Sequence, residues 1–462
     1  MKPVVWIDAV GLTRRQIDAS TPHLESLAAR GALAPMQGIL PGVTLSAQAT
    51  MLTGEPPSRH GCVGNGWYWR ELGEAWLWRQ ANAQILAPTL YERAAERDPN
   101  FRAAKLFWWF NVGARVHWSL TPKPFYPADG RKLLDVDGQP DAFVARAKED
   151  HGSFPFFDFW GPKAGLPSSR WITDVALDLV ERERPTLTMV YLPHLDYDHQ
   201  RFGPDDPRSK RAVVELDRLI GELVAGADAV GAETVVVSEY GIEAASQPVH
   251  INRALREAGL LGVRATPVGE VLDPARSRAF AVADHQIAHV YVLDPAARDE
   301  ARRVVAGLPG VAEVLEDGAL EAAGLAHARS GELVAVAAKG AWFTYYHWLD
   351  DANAPDFART VDIHRKPGYD PCELFVDPAL KFPALRVAQR LARKKLGLRY
   401  LMDVIPLDAS LVGGTHGRLA DDLDDGPVFL SSGGWDVLGG EPEGDAVRMT
   451  SVAGRVLELL SR

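Results

Sequence analysis

Short apolar runs that alternate with helical stretches constrain the fold of this chain more than any other feature of its sequence. Runs with the length and composition of buried strands lie at residues 3–7 (PVVWI), 187–192 (LTMVYL) and 234–237 (TVVV). Helical patterns lie at residues 21–31, 174–184 and 211–225. Strands that alternate with helices usually build a parallel sheet that is covered on both faces. We therefore predict an α/β fold with a mostly parallel central sheet and helices on both faces.

Each of the three predicted strands leads into a segment that carries an acidic residue. Asp8 follows the first strand, Asp196 the second and Glu239 the third. The carboxyl ends of parallel strands meet at one edge of the sheet, where such folds bind their ligands. Carboxylates gathered there repel one another, and one or two divalent cations would remove that cost and could activate a hydroxyl. The sequence thus predicts a metal site at this edge.

The charge balance excludes some classes of partner. The 462-residue chain has 50 Lys and Arg against 61 Asp and Glu, a formal net charge of −11. We therefore expect neither nucleic acid polymers nor membranes as general partners, although a local basic pocket is compatible with this balance. No apolar run approaches the ~18 residues that a membrane helix needs. Two cysteines build no disulfide framework and no secretion signal is visible, so we expect a cytoplasmic protein.

One stretch of the chain carries a more specific pattern. After Thr44, in the sequence PGVTLS (41–46), a Thr-Gly pair follows nine residues later, and then come Pro56, His60-Gly61 and Asn65. Near the end of the chain, the sequence GTHG (414–417) contributes His416. In this order, and with the acidic residues above, these segments resemble the alkaline phosphatase superfamily, and within it the type I phosphodiesterase/nucleotide pyrophosphatase branch. The resemblance covers residues 1–70, about 185–260 and 405–420.

This resemblance implies a metal-dependent hydrolase of phosphate diesters or pyrophosphates. Its small phosphorylated substrate would pass through a phosphothreonine intermediate at Thr44. Asn65 would donate a hydrogen bond to a phosphoryl oxygen, together with the backbone amide of Thr44 or of its neighbour. The implied ligands are Asp8, Thr44, Glu239 and Tyr240 around one divalent cation, and Asp196, Gln200 and His416 around the other.

Two positions depart from the pattern of that family. Glu239-Tyr240 stands where the family usually has Asp-His, and Gln200 stands where it has a histidine, with His199 one residue off register. Oxygen-rich sites suit Mg²⁺, Mn²⁺ or Ca²⁺ better than Zn²⁺, so the expectation shifts towards one or two harder ions, with the metal itself left open. Whether His199 or Gln200 is the ligand is also open. Two further functions are compatible with the sequence: a phosphotransferase or mutase of the same superfamily, and a degenerate protein that only binds a phosphorylated ligand.

The remaining segments are predicted to surround this core. Residues 1–288 together with 400–462 would form the metallo-hydrolase core, residues 289–345 a small α+β insertion, and the loop-rich residues 346–399 a segment that packs near the active site. A basic cluster at 364–369, which includes His364 and Arg365, is either a solvated loop or an anion-binding lip. His285 and His289 are interpreted as structural. The aromatic residues at 67–69 and 108–109 are interpreted as core or as pocket wall that could stack on a base.

Overall fold

A nine-stranded sheet forms the centre of the computed structural model, which describes residues 1–129 and 131–462. Five neighbouring strands run parallel, in the spatial order Glu233–Val237, Val4–Ala9, Leu187–Leu192, Ala103–Leu106 and Trp118–Pro122. Val136–Gln139 extends the sheet antiparallel at one edge. On the other side the sheet continues through Val428–Ser431, which is antiparallel to its neighbours, and then through Ala32–Gln37 and Val447–Arg448.

Helices pack on this sheet in two groups, and this explains why the central strands are apolar throughout. All residues of Val4–Ala9 and Leu187–Leu192 are buried. Leu166–Glu183 and Pro207–Ala229 form the first group, and Thr44–Thr53, Leu90–Arg97 and Val452–Leu460 form the second. Sheets covered in this way are typical of parallel α/β folds. The predicted fold class is confirmed.

The other α-helices are short or peripheral. They are Pro22–Arg30, Pro57–His60, Asp141–His151, His194–Phe202, Ile251–Glu257, Arg298–Ala306, Gly318–Ala322 and Pro383–Lys395. The helix predicted at 211–225 extends to Pro207–Ala229, because Asp206 caps it and Pro207 suits its first turn. Hydrophobic periodicity misses such polar first turns. None of the helices within residues 1–129 and 131–462 is both long and apolar enough to span a membrane.

A second sheet of four antiparallel strands lies beside the first. Its order is Ala279–Asp284, Ile287–Val292, Leu333–Ala337 and Val311–Leu315. The first strand of this sheet, Ala279–Asp284, was not predicted, and it forms a hairpin with Ile287–Val292. The sheet therefore begins upstream of residue 289. The division of the chain into domains stays a prediction. Four strand pairs complete the fold: Gly66–Trp69 with Glu74–Leu77, Glu243–Ala244 with Gly414–Thr415, Gln247–Val249 with Ala341–Phe343, and Val263–Thr266 with Gly269–Leu272.

A buried ionic triad stabilises the loop-rich segment 346–399. Lys366 Nζ lies 2.8 Å from a carboxylate oxygen of Asp370 and 2.7 Å from one of Glu373. All three side chains are at most 2% exposed, so each buried charge is compensated by the others. Tyr369 lies between these residues in sequence, and the triad therefore fixes its backbone.

Candidate active site

The carboxyl edge of the parallel strands gathers three buried carboxylates. Asp8 is the second-last residue of strand Val4–Ala9. Asp196 lies in the first turn of the helix after Leu187–Leu192, and Glu239 follows Glu233–Val237 by two residues. The three strands are neighbours in the sheet, with Val4–Ala9 in the middle. The topology therefore brings together side chains that are far apart in sequence.

Gln48 joins two of these carboxylates. Its Nε2 donates to Asp8 Oδ2 at 3.0 Å and to Glu239 Oε1 at 2.8 Å. Its Oε1 accepts a hydrogen bond from the backbone amide of Trp109 at 2.8 Å. Gln48 was not predicted as a site residue. It lies one helical turn after Thr44, and that spacing is the signal that places both residues on one helix face.

Thr44 opens the helix Thr44–Thr53, and its hydroxyl lies against that of Tyr240. The two oxygens are 3.2 Å apart, and Tyr240 also donates to Asp196 Oδ1 at 3.3 Å. The Tyr240 hydroxyl therefore lies between Thr44 and the Asp196 carboxylate. The start of a helix carries partial positive charge and free amide groups, which suit a phosphoryl group bound at Thr44.

His416 belongs to the same group of side chains. Its Nδ1 donates to the Gly42 carbonyl at 2.8 Å, so Nε2 keeps its lone pair. Nε2 lies 4.0 Å from Asp196 Oδ1. The ring stacks on Tyr240 with a centroid distance of 3.5 Å and an angle of 7° between the planes. Burial lowers the pKa of His416 well below its ordinary value, so the ring is neutral.

Asn65 is held in place by two neighbours. Its Oδ1 accepts from the backbone amide of Leu45 at 3.0 Å, while its backbone amide and Nδ2 donate to Asp284 at 2.8 and 3.1 Å. The backbone amide of Thr44 or of its neighbour Leu45 was expected to bind a phosphoryl oxygen together with Asn65. The Leu45 amide already donates to Asn65, so the Thr44 amide is the one that remains.

Gln200, and not His199, lies beside Asp196. The nearby amide of Gln200 counteracts part of the rise that burial causes in the pKa of Asp196, although Gln200 Nε2 has no hydrogen-bond partner among the described residues. The hydroxyl of Tyr369 donates to Gln200 Oε1 at 2.9 Å. His199 lies against Gly11 instead, and neither of its ring nitrogens has a partner among the described residues.

His285, which was interpreted as structural, extends the site from the second sheet. Its ring lies 3.7 Å from those of both His416 and Tyr369, measured between centroids. Its Nδ1 lies 2.9 Å from Asp284 Oδ1. His285 occupies the hairpin turn with a φ of 56°, a conformation that few residues other than glycine adopt. No motif in the sequence indicates that His285 belongs to the site, because His285 comes from the second sheet.

The three carboxyl groups are strongly desolvated. Burial raises the pKa of Asp196 to about 6. Burial also raises the pKa of Asp8 and that of Glu239, and the charge on Asp8 raises the pKa of Glu239 further. No basic side chain among the described residues forms an ion pair with Asp8 or Glu239. A compensating positive charge would therefore stabilise the group.

Several unpaired atoms in the site fit a divalent cation. Asp8 Oδ1, Glu239 Oε2 and His416 Nε2 are buried and have no hydrogen-bond partner in the part of the chain that the structure describes. Carboxylate oxygens and a neutral imidazole nitrogen are suitable ligands. Among the described residues, no three His, Cys, Asp or Glu side chains form a metal cluster by themselves. A cation here would therefore also need the hydroxyl and amide groups that replace the two expected histidines.

A cleft of about 940 Å³ reaches this group. Gly42, Glu239 and Tyr240 contribute to its lining. The cationic residues that line it are Arg15, Lys210, Arg211, Lys339 and Arg418. Six acidic residues line the cleft as well. Arg15, Lys339 and Arg418 pair with acidic neighbours, so Lys210 and Arg211 are the lining cations that form no ion pair with a described residue.

The basic cluster 364–369 divides between the surface and the interior. Arg365 is exposed and pairs with Asp362 at 3.3 Å, Lys366 belongs to the buried triad, and Tyr369 contacts Gln200. Of the aromatic residues, Trp67 and Trp108 are at most 1% exposed and belong to the core. Trp109 contacts the site through its backbone amide.

Comparison with known proteins decides the family. The profile described as type I phosphodiesterase / nucleotide pyrophosphatase matches residues 4–370, which include every site residue discussed above except His416. The chain belongs to the type I phosphodiesterase / nucleotide pyrophosphatase family. The resemblance stated from the motifs is thereby confirmed.

One curated relative of this phosphodiesterase family member is an uncharacterized pyrophosphatase/phosphodiesterase of Schizosaccharomyces pombe. It is 28% identical over 213 residues, which are 45% of this chain and 36% of that protein. The chain thus matches little more than a third of the length of that relative.

Two solved structures share the fold of this phosphodiesterase family member over nearly its whole length. Phosphonoacetate hydrolase from Sinorhizobium meliloti 1021, in complex with phosphonoformate, has a TM-score of 0.63 and 17% identity, covering 99% of this chain and 96% of that chain. Murine ectonucleotide pyrophosphatase / phosphodiesterase 5, an inactive variant in complex with AMP, has a TM-score of 0.58 and 13% identity, covering 100% and 95%. At these identities the likeness concerns the alkaline-phosphatase-like fold.

Proposed function

We propose that this protein hydrolyses phosphate diesters or pyrophosphates with Thr44 as its nucleophile. The observation that carries the proposal is the position of the Thr44 hydroxyl, at the start of a helix and 3.2 Å from the Tyr240 hydroxyl. Asp8, Asp196 and Glu239 lie in the same group of contacts. Membership of the phosphodiesterase family supports this reaction class.

A divalent cation is part of the proposal. The side chains that would hold one ion are Asp8, Thr44, Glu239 and Tyr240, and those that would hold a second are Asp196, Gln200 and His416. When bound, such an ion neutralises the carboxylates and favours ionisation of a hydroxyl. The unpaired buried atoms of Asp8, Glu239 and His416 support this assignment. Mg²⁺, Mn²⁺, Ca²⁺ and Zn²⁺ are the candidates.

The residues of the chain would support two successive displacements at phosphorus. In the first, the Thr44 oxygen bonds to phosphorus while the bond to the leaving oxygen breaks, and the leaving group takes up a proton. In the second, water attacks the phosphothreonine, the bond between Thr44 and phosphorus breaks, and Thr44 regains its proton. Asn65, fixed by Asp284 and by the Leu45 amide, would orient the phosphoryl group together with the Thr44 amide.

We propose small phosphorylated compounds as substrates, and not nucleic acid polymers. The murine structure contains AMP and the bacterial one phosphonoformate, both small ligands with a phosphate or phosphonate group. The cleft beside Tyr240 has a volume of about 940 Å³, and two of its lining cations, Lys210 and Arg211, form no ion pair with a described residue. These dimensions fit a ligand the size of a nucleotide.

The test uses bis-p-nitrophenyl phosphate with metal-free protein to which Mg²⁺, Mn²⁺, Ca²⁺ or Zn²⁺ is added. Thr44→Ala is expected to lower kcat by at least about a thousandfold. Ser46→Ala is the matched control, since Ser46 lies in the same helix with a buried hydroxyl that has no partner among the described residues. Mass spectrometry of acid-quenched protein should find a p-nitrophenylphosphoryl group on Thr44, because one of the two p-nitrophenoxy groups of this substrate stays on phosphorus. Wild-type turnover in Thr44→Ala would refute the nucleophile assignment.

A second function, binding without turnover, is favoured by one contact. Gln48 Nε2 donates to both Asp8 and Glu239, so these carboxylates have a partner without any cation. A degenerate binding protein would retain no metal in elemental analysis, yet bind AMP in calorimetry and release no p-nitrophenolate from bis-p-nitrophenyl phosphate. Metal-dependent product formation excludes this alternative.

We propose the cytoplasm as the location of the protein. Cys62 and Cys372 are both free and buried, in keeping with a reducing compartment. Cell fractionation that recovers the protein only outside the cytoplasmic membrane would contradict this proposal.

A further inference from the structure

The helix Pro383–Lys395 presents its apolar residues to solvent. None of its residues is buried. Leu385 is 67% exposed, and Leu396, directly after the helix, is 73% exposed. With the exposed Ala388 and Ala392 they recur at intervals of three and four residues, which places all four on one face. We call these four residues the outward stripe. Phe382, at 71% exposure, precedes it.

Contacts on the opposite face fix this orientation. Arg386 and Arg390 both pair with Asp403, and the latter bond measures 2.8 Å from Nε. Val387 packs against the buried cluster that includes Val404 and Ile405. The helix is thus attached by one face, and the outward stripe points away from the other residues that the structure describes.

The charge around the outward stripe is opposite to that of the whole protein. Residues 381–401 contain seven Lys and Arg and no Asp or Glu, whereas the other residues together carry a net charge of −18. Five of these cations form no ion pair with any described residue: Lys381, Arg393, Lys394, Lys395 and Arg399. The net charge of −11 does not reveal this basic segment, because it is a sum over all residues.

We propose that the helix Pro383–Lys395 is an interfacial anchor that docks on a bilayer containing anionic lipids. The outward stripe and Phe382 would enter the boundary between headgroups and acyl chains, while the flanking cations contact lipid phosphates. A second copy of this chain would fit the outward stripe less well, because the five unpaired cations of one copy would repel those of the other. A nucleic acid would also fit less well, because it would leave the leucine side chains exposed to water. The proposal is independent of the proposed hydrolase activity.

The test is flotation of the purified full-length protein with vesicles of two compositions. One is pure phosphatidylcholine, and the other is equal parts phosphatidylcholine and phosphatidylserine. We expect binding to the anionic vesicles only, and weaker binding at high salt. The variant Arg393→Gln/Lys394→Gln/Lys395→Gln should lower the partition coefficient about a hundredfold, since each basic residue near an anionic surface contributes about fivefold.

A second variant measures how much the apolar side chains contribute to vesicle binding, independently of the cations. Leu385→Gln/Leu396→Gln should lower binding at least about tenfold, because both side chains are exposed in the free protein and gain burial only on the membrane. The matched control is Leu72→Gln/Leu86→Gln, whose leucines are 53% and 55% exposed elsewhere on the surface and whose loss should leave binding unchanged.

Three outcomes would overturn the proposal. The first is wild-type protein that stays out of the anionic vesicle fraction. The second is binding that both helix variants retain in full. The third is a dimer in sedimentation analysis that Leu385→Gln/Leu396→Gln abolishes while vesicles capture nothing, which would assign the outward stripe to self-association.

Discussion

At the scale of single residues, Gln48 shows how the site tolerates buried carboxylates. One amide nitrogen serves Asp8 and Glu239, and the carbonyl of the same side chain fixes the Trp109 backbone. Hydrogen bonds to ionised groups contribute more than those between neutral groups, and a buried charge without a partner is costly. Gln48 therefore has a structural role in the metal-free protein that is separate from catalysis.

Replacement of this amide should be measurable as a loss of stability. Gln48→Leu is expected to lower the free energy of unfolding of metal-free protein by about 2–4 kcal/mol, because both carboxylates lose their donor. Urea denaturation followed by circular dichroism measures the change. Gln84→Leu is the control, since Gln84 is also buried but its side-chain amide contacts no carboxylate among the described residues. Equal stability of Gln48→Leu and wild-type protein would contradict this role.

The residues of the site differ in how far the sequence predicts them. Asp8 and Glu239 follow from their positions at strand ends, because parallel strands in one sheet share an edge. Thr44 follows from a spaced motif. Tyr369 and His285 carry no such signal, since a loop and a hairpin turn bring them to the site from other parts of the fold.

At the scale of elements, the segment that carries Tyr369 depends on the Lys366–Asp370–Glu373 triad. We predict that Lys366→Met destabilises the protein by about 3–5 kcal/mol, because it leaves two buried carboxylates without a cation. Thermal unfolding measures the loss, and limited proteolysis should cut within residues 360–380 sooner than in wild-type protein. Arg365→Met, at the exposed neighbouring position, should change stability by less than about 0.5 kcal/mol. A Lys366→Met protein as stable as Arg365→Met would show that the triad contributes little.

Strands were predicted best where burial of both faces makes the run apolar throughout. Leu187–Leu192 matches its prediction fully, because both faces of this strand are buried and the run is apolar throughout. Ala279–Asp284 was missed, since half of its residues are alanine, which has a weak preference for strands. Its place in the sheet depends on the partner strand Ile287–Val292.

At the scale of the whole molecule, Lys105 makes global stability depend on pH. It lies in strand Ala103–Leu106 of the nine-stranded sheet, is fully buried, and donates to the carbonyl of Phe110 at 2.9 Å. Burial lowers the pKa of Lys105 to about 7, from its ordinary value of 10.5, which holds in the unfolded chain. Between these values the unfolded chain binds a proton that the folded chain does not bind. Stability should therefore rise with pH through this window, by at most about 1.4 kcal/mol per unit.

Comparison with Lys105→Met isolates this contribution from those of other titrating groups. The variant should be more stable than wild-type protein at neutral pH, and the difference should shrink as pH approaches 10.5. Urea denaturation across this range measures it, with Lys210→Met, at an exposed position, as the control. A difference between Lys105→Met and wild type that is constant with pH would contradict the assignment.

The order of the strands also determines when the site is complete during synthesis. Along the chain, Asp8 comes first, Asp196 and Glu239 follow, and His416 comes after all of them. Strand Val428–Ser431, which is inserted between Glu233–Val237 and Ala32–Gln37, comes later still. A growing polypeptide on the ribosome therefore lacks one proposed metal ligand, and one strand of the central sheet, until this later segment emerges, and fragments without it cannot assemble the constellation around Thr44.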